Sequence, residues 1–169
     1  DLEKNKDGLQ TIRQEPEIII PLPNETKKTF FDGLNSLLDS GKNQRFAVFQ
    51  ALVLTNTEMA NEETKKKFSL EIKYKQHFNL YAWIDGQFVC ETERVVAATN
   101  TMSLEDFLSC RTYAMVLDSI LRFEPIHEIF KFLESLNVKN SDFTSILIDK
   151  IEKQSGGLKD SVEKFRENL

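Results

Sequence analysis

Apolar positions along the chain change their spacing several times, and each change predicts an element. Ile18, Ile19 and Ile20 form an unbroken β-branched run, the pattern of a strand buried on both faces. Pro21 and Pro23 stop it, and Asn24 or Thr26 can cap the helix that follows. Phe30, Leu34, Leu37 and Leu38 are spaced for one helical face, and Gly41 stands where a left-handed C-terminal cap is wanted. A second apolar run occupies residues 46–54. Strand, helix and buried strand together predict a right-handed βαβ unit with parallel strands.

The flanking patterns are different. Residues 1–16 are polar and charge-rich, interrupted by Gly8 and Pro16, with a short helix expected over residues 9–14. The run NEETKKK at residues 61–67 carries both signs of charge and reads as a solvated helical turn. Leu70, Ile72 and Tyr74 alternate with Glu71, Lys73 and Lys75, the period of a half-buried strand. Asp85-Gly86 separates two further strand-like runs, at 81–84 and 88–97, and is a hairpin signal that brings Trp83 close to Phe88. Trp83, the single tryptophan, is expected to pack. Ser103, followed by Glu105 and Asp106, predicts the start of a long helix with Phe107, Leu117 and Leu121 on its apolar face. Pro125 suits the first turn of the next helix, whose apolar line runs Ile126, Ile129, Phe130, Leu133 and Leu136. Ser141 caps a third helix that Gly156-Gly157 ends, and Leu158, Val162, Phe165 and Leu169 line a last one.

Composition narrows the function. With 169 residues and 40% hydrophobic positions the chain can bury a sizeable core. A net charge of −5 argues against nucleic acid as a partner, which needs a basic face. No apolar run is long enough to span a bilayer, so no membrane partner is expected. Cys90 and Cys110 suggest no disulfide framework, making the cytoplasm the default compartment. The chain opens at Asp1 without an initiator methionine, which fits an excised or processed piece. His77 and His127 read as surface histidines, and no Ser/His/Asp or Cys/His arrangement stands at a recognisable motif, so a self-sufficient hydrolase is the least favoured class.

Residues 19–27, I-I-P-L-P-N-E-T-K, precede a helix, a buried strand and L-T-N-T-E-M at residues 54–59. This order resembles the late part of a radical S-adenosylmethionine barrel of the kind often joined to a cobalamin-binding domain, where G-L-P-G-E-T and L-P-G-T-E are usual. The segment E-T-E-R-V-V-A-A-T-N-T-M-S-L-E-D-F, residues 91–107, is similar to the linker and first helix after that barrel. The likeness covers residues 17–122. It implies an α/β fold: a fragment of a (β/α) barrel, its βαβ unit within residues 1–62, followed over residues 63–169 by a small antiparallel sheet and a helical C-terminal part. It places Pro21, Asn24 and Glu25 near an adenosyl cofactor, and Thr55, Asn56 and Glu58 on the rim of a substrate cavity. The ordinary alternatives are a helix cap with a dipole-complementing Glu25, and a strand-ending loop. Pro21 and Asn24 stand where glycines are usual, and Thr55 and Asn56 where Pro and Gly are usual.

The family holds a 4Fe–4S cluster on C-x3-C-x2-C, and this chain has two distant cysteines, so no cofactor or metal is expected in the chain itself. S-adenosylmethionine, the cluster and cobalamin are implied for an intact enzyme. The expected role is to complete the barrel and support its cavity without catalysing alone. Its partner is then the remainder of its own barrel, or a second copy joined through the βαβ edge. The alternative is a non-catalytic interaction module that docks through the helical half, residues 103–169.

Overall fold

A computed structural model describes residues 2–4, 10–12, 16–40, 46–153 and 157–167. Strands β1 (Leu2–Lys4) and β2 (Gln10–Ile12) pair antiparallel. The helix expected over residues 9–14 is therefore a strand at residues 10–12, where β-branched Thr11 and Ile12 favour extended backbone. The other positions of that expected helix lie outside the described residues.

Strand β3 (Glu17–Ile20), helix α1 (Lys27–Leu38) and strand β4 (Ala47–Gln50) form the βαβ unit. The strands are parallel, with Glu17 opposite Ala47 and Ile20 opposite Gln50. Thr26, rather than Asn24, caps α1: its hydroxyl accepts from the Thr29 amide while the Thr29 hydroxyl accepts from the Thr26 amide. Asp39 occupies the C-cap, and Gly41, expected there, lies outside the described residues.

Burial of this sheet on both faces does not occur. Ile20 and Phe46 are buried, with Ile18 and Val48 partly buried, against the helices. Ile19 is 47% and Phe49 49% exposed on the opposite face. The physical reason is that all the helices packed on this sheet lie to one side of it. An unbroken apolar run signals apolar neighbours, and among the described residues only one set of them is present.

Beyond β4 the chain turns toward the hairpin of β5 (Glu71–Ile84) and β6 (Gln87–Ala98). Val96 N–H donates to the Ala51 carbonyl, Val53 N–H donates to the Arg94 carbonyl, and Leu52 bridges Val95 antiparallel. This adds a third antiparallel member and joins the two sheets. It also covers the end of the β4 edge, while the Arg111 guanidinium donates to the outward Val48 carbonyl. Among the described residues, β3 pairs only with β4.

Asp85 (φ 50°) and Gly86 (φ 78°) are both left-handed, as a tight hairpin turn of the mirror-image type requires. Trp83 stands opposite Phe88 with ring centroids 5.6 Å apart. Trp83 is nonetheless 72% exposed, so it does not pack into the core; its ring meets Phe88 on the paired strand. A 3-10 turn (Glu58–Ala60) and the short helix α2 (Glu62–Lys67) close the path from β4 to β5.

The helical part comprises α3 (Leu104–Leu121), α4 (Pro125–Ser135), α5 (Asn140–Lys153) and α6 (Gly157–Glu167). Ser103 caps α3 by accepting from the Asp106 amide at 3.1 Å. Phe107, Leu117, Phe130, Ile148 and Val162 share one core with Ile20, Phe30 and Leu34, so the main core draws on both sides of residue 62. The Asp39 carboxylate accepts from the Ser141 amide and hydroxyl at 2.9 and 2.8 Å, tying the end of α1 to the start of α5. Among the described residues, no helix is long and apolar enough to cross a membrane.

Candidate functional site

Parallel strands deliver their carboxyl ends to the same side of a sheet, which is where ligands bind in α/β folds. Here β3 ends in the turn at residues 21–26 and β4 leads into the loop at residues 55–58. Leu22 of the first, with Leu54 and Met59 flanking the second, border one groove of about 600 Å³. Its floor is the bare face of the sheet, with Ile19 and Phe49, and Lys75 and Glu93 reach it from the hairpin.

The six residues expected at the site fall into different environments, and none of them is among the residues that line the groove. Pro21 follows a cis peptide bond and is fully buried, so its ring supports the turn from below. Asn24 is exposed with φ 66°, and Asn56 is exposed with φ 65°. Both asparagines therefore adopt the left-handed backbone that glycine adopts most readily and that Asn tolerates best among side-chain-bearing residues. Thr55 and Glu58 are exposed on the second loop.

Glu25 is half-buried and folds back on its own turn. Its carboxylate accepts from the Leu22 amide at 3.2 Å, and its amide donates to the Leu22 carbonyl at 3.1 Å. Burial raises its pKa above the ordinary 4.5, and the Leu22 hydrogen bond opposes that rise. The capping box occupies the amides of Thr26 and Thr29, leaving those of Lys27 and Lys28 at the positive end of the α1 dipole. The turn can thus meet a polar group of a small ligand through backbone N–H groups and the Asn24 side chain.

Two contacts here have no counterpart in the sequence reading. The Thr101 hydroxyl donates to the Glu25 carbonyl at 2.6 Å. The Arg94 guanidinium donates to the Thr55 hydroxyl at 3.2 Å. The cluster Thr99, Thr101 and Ser103 ahead of a helix is a recognisable hydroxyl-rich turn, but nothing in it indicates the partner 76 residues away. Arg94 carries no local signal at all.

An iron–sulfur cluster does not fit the residues present. Cys110 lies buried in α3, and burial pushes its thiol up to about 12, with Lys27 pulling down and Glu25 and Asp106 pushing up. Cys90 is on the hairpin, and no group of three or more metal-ligating side chains stands together among the described residues.

No protein-family model matches the chain. Over 103 residues, 60% of this chain, the sequence is 30% identical to a 2-(S-pantetheinyl)-carbapenam-3-carboxylate methyltransferase of Streptantibioticus cattleyicolor. The matched region spans about 15% of that protein's length.

Proposed function

We propose that this chain is the C-terminal part of a radical S-adenosylmethionine enzyme that transfers a methyl group, completing its barrel and supporting the substrate cavity. The observation that carries the reading is the pair Asn24 and Asn56. Each stands where the resembled motifs place glycine, and each has the left-handed backbone that glycine would supply. The parallel βαβ unit, the groove bordered by Leu22 and Leu54 beside the two turns, and the partial likeness to a methyltransferase support it further.

In this role Asn24 and Glu25 border the adenosyl cofactor, Thr55, Asn56 and Glu58 form the cavity rim, and Pro21 underpins the first turn. S-adenosylmethionine bound there would supply the methyl or radical chemistry, and the cluster, with any cobalamin, belongs to the remainder of the barrel. The chain's own part is to shape the groove and exclude water from its apolar floor. The cytoplasm, a reducing compartment, suits that chemistry.

The reading frame that encodes this chain tests the reading. It should carry C-x3-C-x2-C upstream, and the whole polypeptide, reconstituted anaerobically with iron and sulfide, should hold its cluster when Cys90 and Cys110 are replaced by serine. Absence of the upstream cysteines, or loss of the cluster with Cys90 and Cys110, contradicts it.

A second reading, an interaction module, is favoured by one feature. Phe123 and Phe132 are each 62% exposed on the helical half, with Leu136 and Ile146 also exposed. The same reading frame separates the two: a module of this kind needs no cluster motif.

A further inference from the structure

The two candidate loops are held by one short stretch of chain. Residues 94–101 leave the hairpin and enter the turn before α3. At one end of this stretch, the Arg94 carbonyl accepts from Val53 N–H, and its guanidinium reaches the Thr55 hydroxyl. At the other end, the Thr99 hydroxyl accepts from the amides of Thr101 and Met102 and lies 3.2 Å from the Thr101 hydroxyl. Thr101 in turn donates to the Glu25 carbonyl. The segment between them is anchored in the cores, with Val95 and Val96 buried.

We propose that Thr101 and Arg94 are positioning residues that fix the β3–α1 turn and the loop after β4 against one another, so that Leu22 and Leu54 beside them border the same groove. The proposal rests on the reading of these loops as the functional site. Thr101 holds the carbonyl of the residue whose carboxylate closes the turn on Leu22, so it sets the direction of Glu25 and keeps Asn24 left-handed. Arg94 fixes Thr55 immediately before the second left-handed residue, Asn56. Neither side chain needs to touch a ligand for this.

The test compares Thr101→Val, Thr101→Ser, Arg94→Met and the wild-type chain by NMR, without ligand. Thr101→Val removes the hydroxyl at nearly constant shape. Hydrogen exchange of the Leu22 amide should quicken roughly two- to tenfold, the change that one lost hydrogen bond makes. The Glu25 carboxyl titration should move down toward the ordinary value as the turn opens to water. Arg94→Met should quicken exchange at Thr57 and Ala60, whose amides close the second loop. Exchange at core amides such as that of Leu117 should not change, whereas a general loss of stability would move them all. Thr101→Ser keeps the hydroxyl and should restore wild-type behaviour. Unchanged Leu22 exchange and Glu25 titration in Thr101→Val, or a Thr101→Ser chain that behaves like Thr101→Val, overturns the proposal. The upstream C-x3-C-x2-C of the reading frame separates the two failures. If it is absent, the functional reading falls while the clamp stands.

Discussion

The two faces of the β3–β4 sheet have similar composition and opposite fates. Ile20 is completely buried against α1 and α3, while Ile19, its neighbour in the same run, is 47% exposed over the groove. Phe46 is 4% exposed and Phe49 is 49% exposed. One face is the wall of a core and the other the floor of an open groove. A run of apolar residues thus marks a surface that an apolar neighbour can cover, and the described residues supply that neighbour on one side only. Ordinary globular sheets of this parallel type are covered on both faces.

The sharpest way to break this comparison is a matched pair of substitutions. Ile20→Ala should destabilise the fold by about 2–5 kcal/mol, the usual loss for a large-to-small change in a core. Ile19→Ala should cost less than about 1 kcal/mol, because half of its surface already meets water. Urea melts of the two variants give both values, and equal losses would show that the groove face is covered in solution. Ser103→Ala removes the cap of the helix that forms the covered side, and should cost roughly 0.5–2 kcal/mol with an unchanged urea slope.

Two smaller effects concern the groove side. At Asn24 the left-handed backbone favours glycine, so Asn24→Gly should leave stability nearly unchanged while Asn24→Ala costs about 1 kcal/mol. Differential scanning calorimetry on the two variants checks the order, and the reverse order would mean that the turn is not left-handed. Glu25 gives the smallest effect, visible through pH. Burial raises its native pKa above the unfolded 4.5, so the native state holds the proton more tightly. The stabilisation is present below pH 4.5 and is lost as pH rises through the native value. Glu25→Gln should flatten that part of the stability profile, measured by urea melts from acid to neutral pH. A profile identical to the wild type would place Glu25 in water.

Local rules made much of the fold legible. The βαβ unit follows from two apolar runs and a helical spacing between them, and the hairpin from Asp85-Gly86, whose backbone adopts the left-handed pair that such turns require. Ser103 was readable as a cap because its partner, the Asp106 amide, lies one turn away. Less legible was whatever depends on distant chain. Trp83 looks like a core residue by type, yet it sits near the tip of the ribbon and is 72% exposed. Residues 10–12 form a strand that pairs with β1, a partner the local pattern does not name. At the candidate site the two asparagines were visible as departures from a glycine pattern. Thr101 and Arg94 were not, because their contacts join positions separated by 76 and 39 residues.

Leu22 and Leu54, beside the loops at the carboxyl ends of β3 and β4, border one groove, and S-adenosylmethionine is the ligand proposed for it in the intact barrel. Titration of the whole reconstituted polypeptide, isotopically labelled in this segment, with S-adenosylmethionine, followed by amide chemical shifts, checks that proposal. Saturable shifts concentrated at residues 22–28 and 54–59, with Ile19 and Phe49 responding on the groove floor, are expected. Shifts confined to the helical half, or none at saturating ligand, would contradict it.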